Sequence, residues 1–266
     1  MLAMAAALGA VGCAGRAGQS PSAVVPEIRP GILIGYLERK ELPNALALLA
    51  PPPAAGSTAM ALDEAVRQQA TRLRDTPRWT LATADAELGF PAAAGTFSCV
   101  LDAPISEQDT PHLYMLLRRS MTDAGLSTYT AKEHYSRIRP FAMHRQPTCA
   151  PGDEAQLAKD GSYPSGHSAI GWAWALILTE VAPDRADAIL ARGQAFGQSR
   201  VVCNVHWQSD VTQGRTIGAG AVARLHGNAA FRTELKAAKA ELAAVREKGL
   251  RPTRDCAMET EALAHK

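Results

Sequence analysis

The chain has 266 residues, and its 28 Lys and Arg against 26 Asp and Glu give a formal net charge of only +2. This near balance excludes a broad basic surface of the kind that binds nucleic acid through counterion release. The length is enough for one core of ordinary upper size, and nothing requires a second domain. We therefore expect one domain, no nucleic-acid partner and only local cationic sites.

The N-terminus resembles an export signal. Residues 1–15 carry no charged side chain, and the apolar run Leu2–Val11 has the length of a signal-peptide core, too short to span a bilayer. We therefore predict a signal peptide over residues 1–20, a periplasmic location and no membrane span. The sequence Ala-Val-Gly-Cys at 10–13 is also similar to a bacterial lipoprotein box, so two outcomes stay open: cleavage before Cys13 with a lipid anchor there, or soluble release.

Once Cys13 is set aside, an even number of cysteines remains in a chain predicted to be exported. An oxidising compartment favours disulfides over free thiols, so two bridges are predicted. Their pairing stays open, because four cysteines allow three connectivities. These residues are Cys99, Cys149, Cys203 and Cys256.

The first part of the chain has little helical character. Residues 21–56 are rich in Pro, Gly and Ala, which predicts an N-terminal arm extended over the surface. From Ser57 the spacing becomes helical and predicts an amphipathic helix that ends at Thr76-Pro77. Its apolar stripe would be Leu62, Val66, Ala70 and Leu73. Shorter helical segments follow near 81–88 and 94–103.

The next helices have clearer start and stop signals. Pro111, at the first helical position, opens a helix that Gly125 ends. Another is predicted from about Tyr129 to Ile138, with Pro140 ending it. Residues 141–163 lack periodicity and predict a long loop of the sort that carries function.

The C-terminal half is predicted to be helical throughout. After Ser165 comes a segment that is apolar nearly all round, as in a buried central helix. Pro183 opens a helix to about Ser199, in which Gly193 and Gly197 would allow close packing. A further helix runs from near His206 to Leu225, and Asn228 caps a long amphipathic helix that ends before Gly249. No segment alternates with period two, so we predict an all-α, single-domain helical bundle over residues 57–250 and a C-terminal tail over 251–266.

Two basic residues form the first cluster that could bind a ligand. Lys132 and Arg139 are seven residues apart on the predicted helix, so two turns bring both cations to one face, where they could hold a dianion. The alternative is a solvated basic face, which the neighbouring His134 and Arg137 favour.

The second cluster is Pro164-Ser165-Gly166-His167, at the start of the apolar helix. Backbone N–H groups in a first helical turn lack partners and, with the helix dipole, favour phosphate. Gly166 would let a ligand oxygen approach the backbone, and His167 can exchange a proton near neutral pH. The alternative is a Ser-capped helix with a surface histidine.

The third cluster reads Ser199-Arg200, five residues, His206, three residues, Asp210. On a helix, the Asp210 carboxylate could accept from one imidazole nitrogen of His206 and leave the other free as a nucleophile. A surface His–Asp pair is the alternative.

Taken together, the three clusters resemble the tripartite signature of the type 2 phosphatidic acid phosphatase superfamily, and every fixed position is matched. The flanks at 161–163, Cys203 and 206–211 are similar to those of class A bacterial non-specific acid phosphatases. The Pro-rich arm with residues 41–43 also fits, so the resemblance covers roughly residues 30–225.

The resemblance implies an all-α, periplasmic acid phosphatase that hydrolyses phosphate monoesters of broad range without a metal or other cofactor, with phosphotransfer to alcohols as a side activity. By matching position, His206 would be the nucleophile that forms a phosphohistidine, Asp210 its orienting partner and His167 the general acid. Charge stabilisation by three cations and a helix N-terminus is consistent with phosphoryl transfer. The implied phosphate-binding residues are Lys132, Arg139, Ser165, Gly166 and Arg200.

Two other functions remain open at this point. Vanadium haloperoxidases use the same three clusters, although they are usually much larger chains. A non-catalytic periplasmic phosphate-binding protein would leave His167 and the His206–Asp210 pair without a purpose. The physiological ester and homo-oligomer formation are not specified by the sequence.

Overall fold

The computed structural model describes residues 25–265. The predicted signal peptide, the box ending at Cys13 and the first residues of the arm lie outside the described residues. The arm begins with an antiparallel hairpin of β1 (Glu27–Arg29) and β2 (Ile32–Leu33), which turns at Gly31 with a φ of +80°. Among the described residues this hairpin is the only sheet.

The remaining regular structure is helical, which confirms the predicted all-α class. The helices are α1 (Ala45–Leu48), α2 (Thr58–Thr71), α3 (Pro77–Ala84), α4 (Ser98–Leu101), α5 (Pro111–Leu126), α6 (Tyr129–Tyr135), α7 (Pro140–His144), α8 (Glu154–Leu157), α9 (Gly166–Val181), α10 (Ala186–Val202), α11 (Gln208–Leu225), α12 (Ala229–Glu247) and α13 (Cys256–Ala264). Within residues 25–265, no helix is both long and apolar enough to cross a bilayer.

Helix α9 is the centre of the molecule, as its uniformly apolar sequence predicts. It packs against α5, α10, α11 and α12. Trp174 is fully buried, and its indole N–H donates to the Leu117 carbonyl at 3.0 Å, so its polar group is satisfied in the core. The amphipathic face of α12 covers this core with Phe231, Leu242 and Val245.

Small residues let two helices approach α9 closely. A Cβ added to Gly214 or Gly218 of α11 would lie 2.5 or 2.3 Å from the carbonyl oxygen of Ser165 or Ala169. On the other side, a Cβ at Gly193 of α10 would lie 2.5 Å from the Ala175 side chain, as the predicted close packing requires. The starts of α9 and α11 therefore lie together.

The chain around Pro140 differs from the prediction. Helix α6 ends at Tyr135, because Ser136 adopts a left-handed conformation with a φ of 42°. Pro140 then begins α7, since a proline that lacks an N–H is well tolerated at a first helical position. The predicted loop 141–163 contains α7 and α8, so it is a series of short helices.

The predicted apolar stripe of α2 is also wrong in part. Leu62 is 62% exposed, whereas Asp63 is only 2% exposed and Arg67 is also buried. These charged side chains can be buried because each one has an ionic partner: Arg137 for Asp63 and Glu64 for Arg67.

Two disulfides join the four cysteines, as predicted. Cys149 pairs with Cys203, and Cys99 pairs with Cys256. The second bond attaches α13, in the segment predicted as a tail, to the domain beside α3. Helix α10 continues to Val202, directly before Cys203, three residues further than the sequence indicates.

Candidate active site

The three sequence clusters meet in one cleft of about 1150 Å³. The cluster residues that line it are Lys132, Arg139, Gly166, His167, Arg200 and His206. Asp210 is fully buried behind His206. The arm and α5 supply the apolar part of the wall, with Ile28, Ile32, Leu42, Leu46 and Met121.

Lys132 and Arg139 come together without sharing a helix. Arg139 precedes a proline and is extended, with φ −74° and ψ 151°, as the residue before proline usually is. In an extended segment, residues two apart point the same way. Arg137 and Arg139 therefore lie on the same, inward side of the segment, Arg139 at the cleft and Arg137 behind it, while Ile138 between them is mostly exposed.

Asp160 links the two cations Lys132 and Arg139. One of its carboxylate oxygens accepts from Lys132 Nζ at 3.3 Å and from Arg139 Nη2 at 3.1 Å. The neighbouring Gly161 carbonyl accepts from Lys132 Nζ at 2.6 Å. A Cβ at Gly161 would lie 2.5 Å from the Lys132 carbonyl oxygen, so the close approach of residue 161 to the main chain of Lys132 requires glycine.

The Ser165 to His167 turn is the N-terminus of α9. Ser165 is the N-cap, and its Oγ accepts from the Ser168 N–H at 3.2 Å, as in the alternative of a Ser-capped helix. Ser165 is fully buried and does not line the cleft, whereas Gly166 does. A Cβ at Gly166 would point toward Thr128 and Lys132, at 3.6 and 4.0 Å, so the space above this backbone faces a cation.

His167 also faces the cleft and is not a surface histidine. It is partly buried, its ring stacks on Phe196, and its Nε2 lies 3.0 Å from the Ala86 carbonyl. Since a carbonyl only accepts, Nε2 carries the proton there and Nδ1 is the nitrogen left for a ligand. Burial, reinforced by the charge of Arg200, keeps the pKa of His167 well below its ordinary value.

His206 lies in the turn between α10 and α11, before the helix that was predicted to include it. Its main-chain N–H donates to the Arg200 carbonyl at 3.2 Å, and Asn204 has a left-handed φ of 63°. Its Nδ1 lies 3.2 Å from Asp210 Oδ2. Its Nε2 lies 3.0 Å from Arg139 Nη1. Because an arginine can only donate, this contact requires a lone pair on Nε2 and a proton on Nδ1.

Charge and burial act together on these groups. Burial, with the cations Arg139, Lys132 and Arg200, keeps the pKa of His206 well below its ordinary value. Burial beside Arg139 also lowers the pKa of Lys132 to about 8. The lowered pKa favours the neutral imidazole of His206, while a pKa of about 8 leaves Lys132 a cation in acid.

Arg200 is buried with spare hydrogen-bonding capacity. Its side chain is 1% exposed, and Nε and Nη1 have no hydrogen-bond partner among residues 25–265. An unpaired buried guanidinium is costly, and an anion bound in the cleft would satisfy it.

Three residues of the site were not identified from the sequence: Asp160, Arg137 and Asp63. Arg137 was considered only as evidence for a solvated face, yet its Nη1 donates to Asp210 Oδ1 at 2.6 Å. The Arg-x-Arg-Pro order contains the signal, because the residue before proline is extended and the two arginines then share a side. For Asp160 and Asp63 we find no comparable signal.

No group of three or more His, Cys, Asp or Glu side chains is arranged to hold a metal ion in the part of the chain that the structure describes.

The geometry can be compared with known proteins. The sequence pattern of the PAP2 superfamily matches residues 113–232, which include all three clusters. A non-specific acid phosphatase of Providencia stuartii is 46% identical over 213 residues, which cover 80% of this chain and 86% of that protein. The chain belongs to the PAP2 superfamily.

Other PAP2-type relatives agree. An acid phosphatase of Zymomonas mobilis is 42% identical over 199 residues, 75% of each chain. A non-specific acid phosphatase of Salmonella typhimurium is 41% identical over 204 residues, 76% of this chain and 82% of that protein. The predicted resemblance to the bacterial non-specific acid phosphatases is confirmed, and so is the prediction that the chain is a phosphatase enzyme.

Proposed function

We propose that this protein is an exported acid phosphatase that hydrolyses phosphate monoesters through a phosphohistidine on His206. The observation that carries the proposal is the setting of that imidazole. Asp210 fixes the proton on Nδ1, and Arg139 faces the Nε2 lone pair inside a cationic cleft. A neutral histidine whose free nitrogen points at an anion site is equipped to attack phosphorus.

The phosphoryl group would lie among Lys132, Arg139, Arg200 and the Gly166 N–H. The unsatisfied Nε and Nη1 of Arg200 and the open space above Gly166 support this position. Ser165 acts from behind as the helix cap, since its Oγ accepts from the Ser168 N–H. Fixed donors of this kind stabilise the charge that develops on the equatorial oxygens.

The reaction proceeds in two steps. His206 Nε2 bonds to phosphorus, the bond to the ester oxygen breaks, and His167 gives that oxygen a proton. Water then attacks phosphorus and gives a proton to His167, while the P–N bond breaks and its electron pair returns to Nε2. Burial lowers the pKa of His167 in the empty site, and the negative charge of a bound phosphate beside it favours the protonated form that the first step needs.

An alcohol in place of that water would give phosphotransfer, which we propose as the side activity. Export is supported by the uncharged apolar run Leu2–Val11 and by the two disulfides, which persist in oxidising compartments. Cell fractionation tests the periplasmic location, and mass analysis of the mature N-terminus distinguishes a lipid at Cys13 from soluble release.

The decisive experiment is turnover of p-nitrophenyl phosphate with and without exhaustive chelation, for wild type and His206→Ala. We expect activity to survive chelation and to be inhibited by vanadate, and His206→Ala to abolish both turnover and the covalent intermediate. The intermediate must be trapped under alkaline denaturation, because phosphohistidine is acid-labile. Chelator-sensitive activity restored by magnesium, or a phosphoryl group on another residue, would remove this mechanism.

A further inference from the structure

A row of buried ionic contacts extends behind the proposed nucleophile. Asp210 Oδ2 accepts from His206 Nδ1 at 3.2 Å and from the Trp207 N–H at 2.9 Å. Its other oxygen, Oδ1, accepts from Arg137 Nη1 at 2.6 Å. Arg137 Nη2 donates to Asp63 Oδ2 at 2.8 Å. The row therefore joins the cleft to helix α2, through side chains that do not line the cleft.

We propose that Arg137, held in place by Asp63, is a positioning residue that keeps Asp210 ionised and aimed at His206. The proposal rests on the proposed role of His206 as the nucleophile. Arg137 touches neither the substrate space nor the reacting atoms, so its effect on catalysis passes through Asp210.

The shape of the guanidinium suits this task. Its planar fork uses Nη1 for Asp210 and Ser209 and Nη2 for Asp63, and its plane lies over the Trp207 ring. Asp63 also receives the Ser209 N–H at 2.8 Å, so one carboxylate of α2 fixes both the arginine and the first turn of α11. A lysine has the charge without the fork and could not hold all of these partners at once.

The buried carboxyl of Asp210 needs a nearby cation to stay ionised. Burial raises the pKa of this carboxyl, and the charge of Arg137 is the largest influence that opposes it. The other titratable groups around it are His206, Lys132, Arg139, Tyr163 and, behind Arg137, Asp63. Lys132 and Arg139 are shared with Asp160, and a bound phosphate would neutralise them further. Arg137 also pairs with Asp63, but it donates directly to Asp210 and lies outside the cleft, so a bound phosphate would leave this contact intact.

The test is the pH profile of kcat/KM for p-nitrophenyl phosphate in wild type, Arg137→Gln and Arg137→Lys. An opposite charge at this distance lowers a carboxyl pKa by about one to three units, so its removal lets Asp210 protonate at higher pH. We expect the acid limb of Arg137→Gln to move upward by about one unit or more. The kcat should fall at every pH while KM changes less than about threefold. In Arg137→Lys the acid limb should return most of the way to its wild-type pH, and kcat should be restored in part.

Arg67→Gln is the matched control. Arg67 is buried to a similar degree and pairs with a carboxylate of the same helix, Glu64, but it does not reach Asp210. We expect a comparable loss of thermal stability with an unmoved acid limb. If Arg137→Gln does not fold, the double variant with Asp63→Asn removes the carboxylate left unpaired and allows the same measurement.

The outcomes separate the two proposals. An inactive wild type, or an active His206→Ala, would refute the proposed function itself. The inference itself is overturned by a different result, in which the wild type is active and His206→Ala is inactive. In that result the acid limb of the pH profile lies at the same pH in Arg137→Gln as in Arg67→Gln, and Arg137 has a packing role only.

Discussion

His167 and His206 line the same cleft but have different partners, and this difference supports the roles proposed for them. His206 has a buried carboxylate on Nδ1 and an arginine at Nε2. His167 has a main-chain carbonyl on Nε2 and stacks on Phe196, with no carboxylate to prepare it for attack. The geometry therefore favours His206 for attack and His167 for proton transfer.

The roles predict a dependence on the leaving group. An alkoxide leaves poorly without a proton, whereas p-nitrophenolate needs little help, so a residue that acts only as an acid matters far more for alkyl esters. We expect His167→Ala to lower kcat/KM for an alkyl phosphate about 100-fold more than for p-nitrophenyl phosphate. Steady-state kinetics on the two esters measure this ratio.

His206→Ala supplies the comparison, since it should stop turnover of both esters equally. The two assignments would have to be exchanged if His167→Ala harmed both esters alike while His206→Ala retained a dependence on the leaving group.

The sequence was sufficient for the residues of the three clusters and insufficient for Asp160, Arg137 and Asp63, which hold them in place. His206, His167 and the cations have chemistry that is readable from residue type and spacing. Asp63, by contrast, occupies a position in a helical pattern where solvent exposure is the default for a carboxylate. Only the tertiary contact with Arg137, 74 residues later in the chain, makes its burial tolerable.

At the level of elements, the largest error of prediction lies around Pro140. The periodicity correctly gave α5, α9 and α12, because long runs with a clear apolar face are decided by burial. Around Pro140 the pattern is short, and one left-handed residue, Ser136, ends α6 earlier than the proline would. Because α6 ends at Tyr135, residues 137–139 form an extended segment. The site depends on that segment.

Helix α5 holds the N-terminal arm through a buried carboxyl. Asp123 accepts from the Tyr36 N–H at 2.9 Å and from the Leu37 N–H at 3.1 Å. A Cβ at Gly35 would lie 1.9 Å from this carboxylate, so the arm needs glycine here. Burial raises the pKa of Asp123 to about 6, although the two N–H groups oppose the shift.

This raised pKa predicts that Asp123 contributes more stability in acid than at neutral pH. Between about pH 4 and 6 the folded state binds the proton more tightly than the unfolded state, so the stability that this group contributes is present below pH 4 and is lost as the pH rises through 6. Two pKa units correspond to at most about 3 kcal/mol. We expect Asp123→Asn to flatten the change of Tm with pH over this interval, as measured by thermal unfolding.

The exposed Asp187 on α10 is a suitable control, and Asp187→Asn should retain the wild-type slope. If the slope of Asp123→Asn also equals that of wild type, another group is responsible for the acid dependence.

At the scale of the whole molecule, the two disulfides have different expected effects. Cys203 lies three residues from both Arg200 and His206, so its bond to Cys149 constrains the turn that bears the proposed nucleophile. The Cys99–Cys256 bond joins residues 157 apart and lies away from the cleft. By loop entropy, these bonds contribute at most about 4 and about 5 kcal/mol, respectively.

We therefore expect Cys99→Ala/Cys256→Ala to lower Tm while kcat at 25 °C stays within about twofold of wild type. Cys149→Ala/Cys203→Ala should lower both Tm and kcat. Thermal unfolding and steady-state kinetics on the two double variants test this separation. The prediction fails if the first pair loses activity while still folded, or if the second keeps full activity.

The Cys99–Cys256 bond has a further consequence. All three clusters of the candidate site, from Lys132 to Asp210, lie between these two cysteines in the sequence, so they belong to one covalently closed ring. A protease that cuts a surface turn once within this ring, for example at Pro183–Arg185, produces a nick but cannot separate the fragments. The nicked enzyme keeps its mass, apart from one added water, until a reductant opens the ring. The bond to the C-terminal helix therefore keeps a chain that has been cut once in one piece.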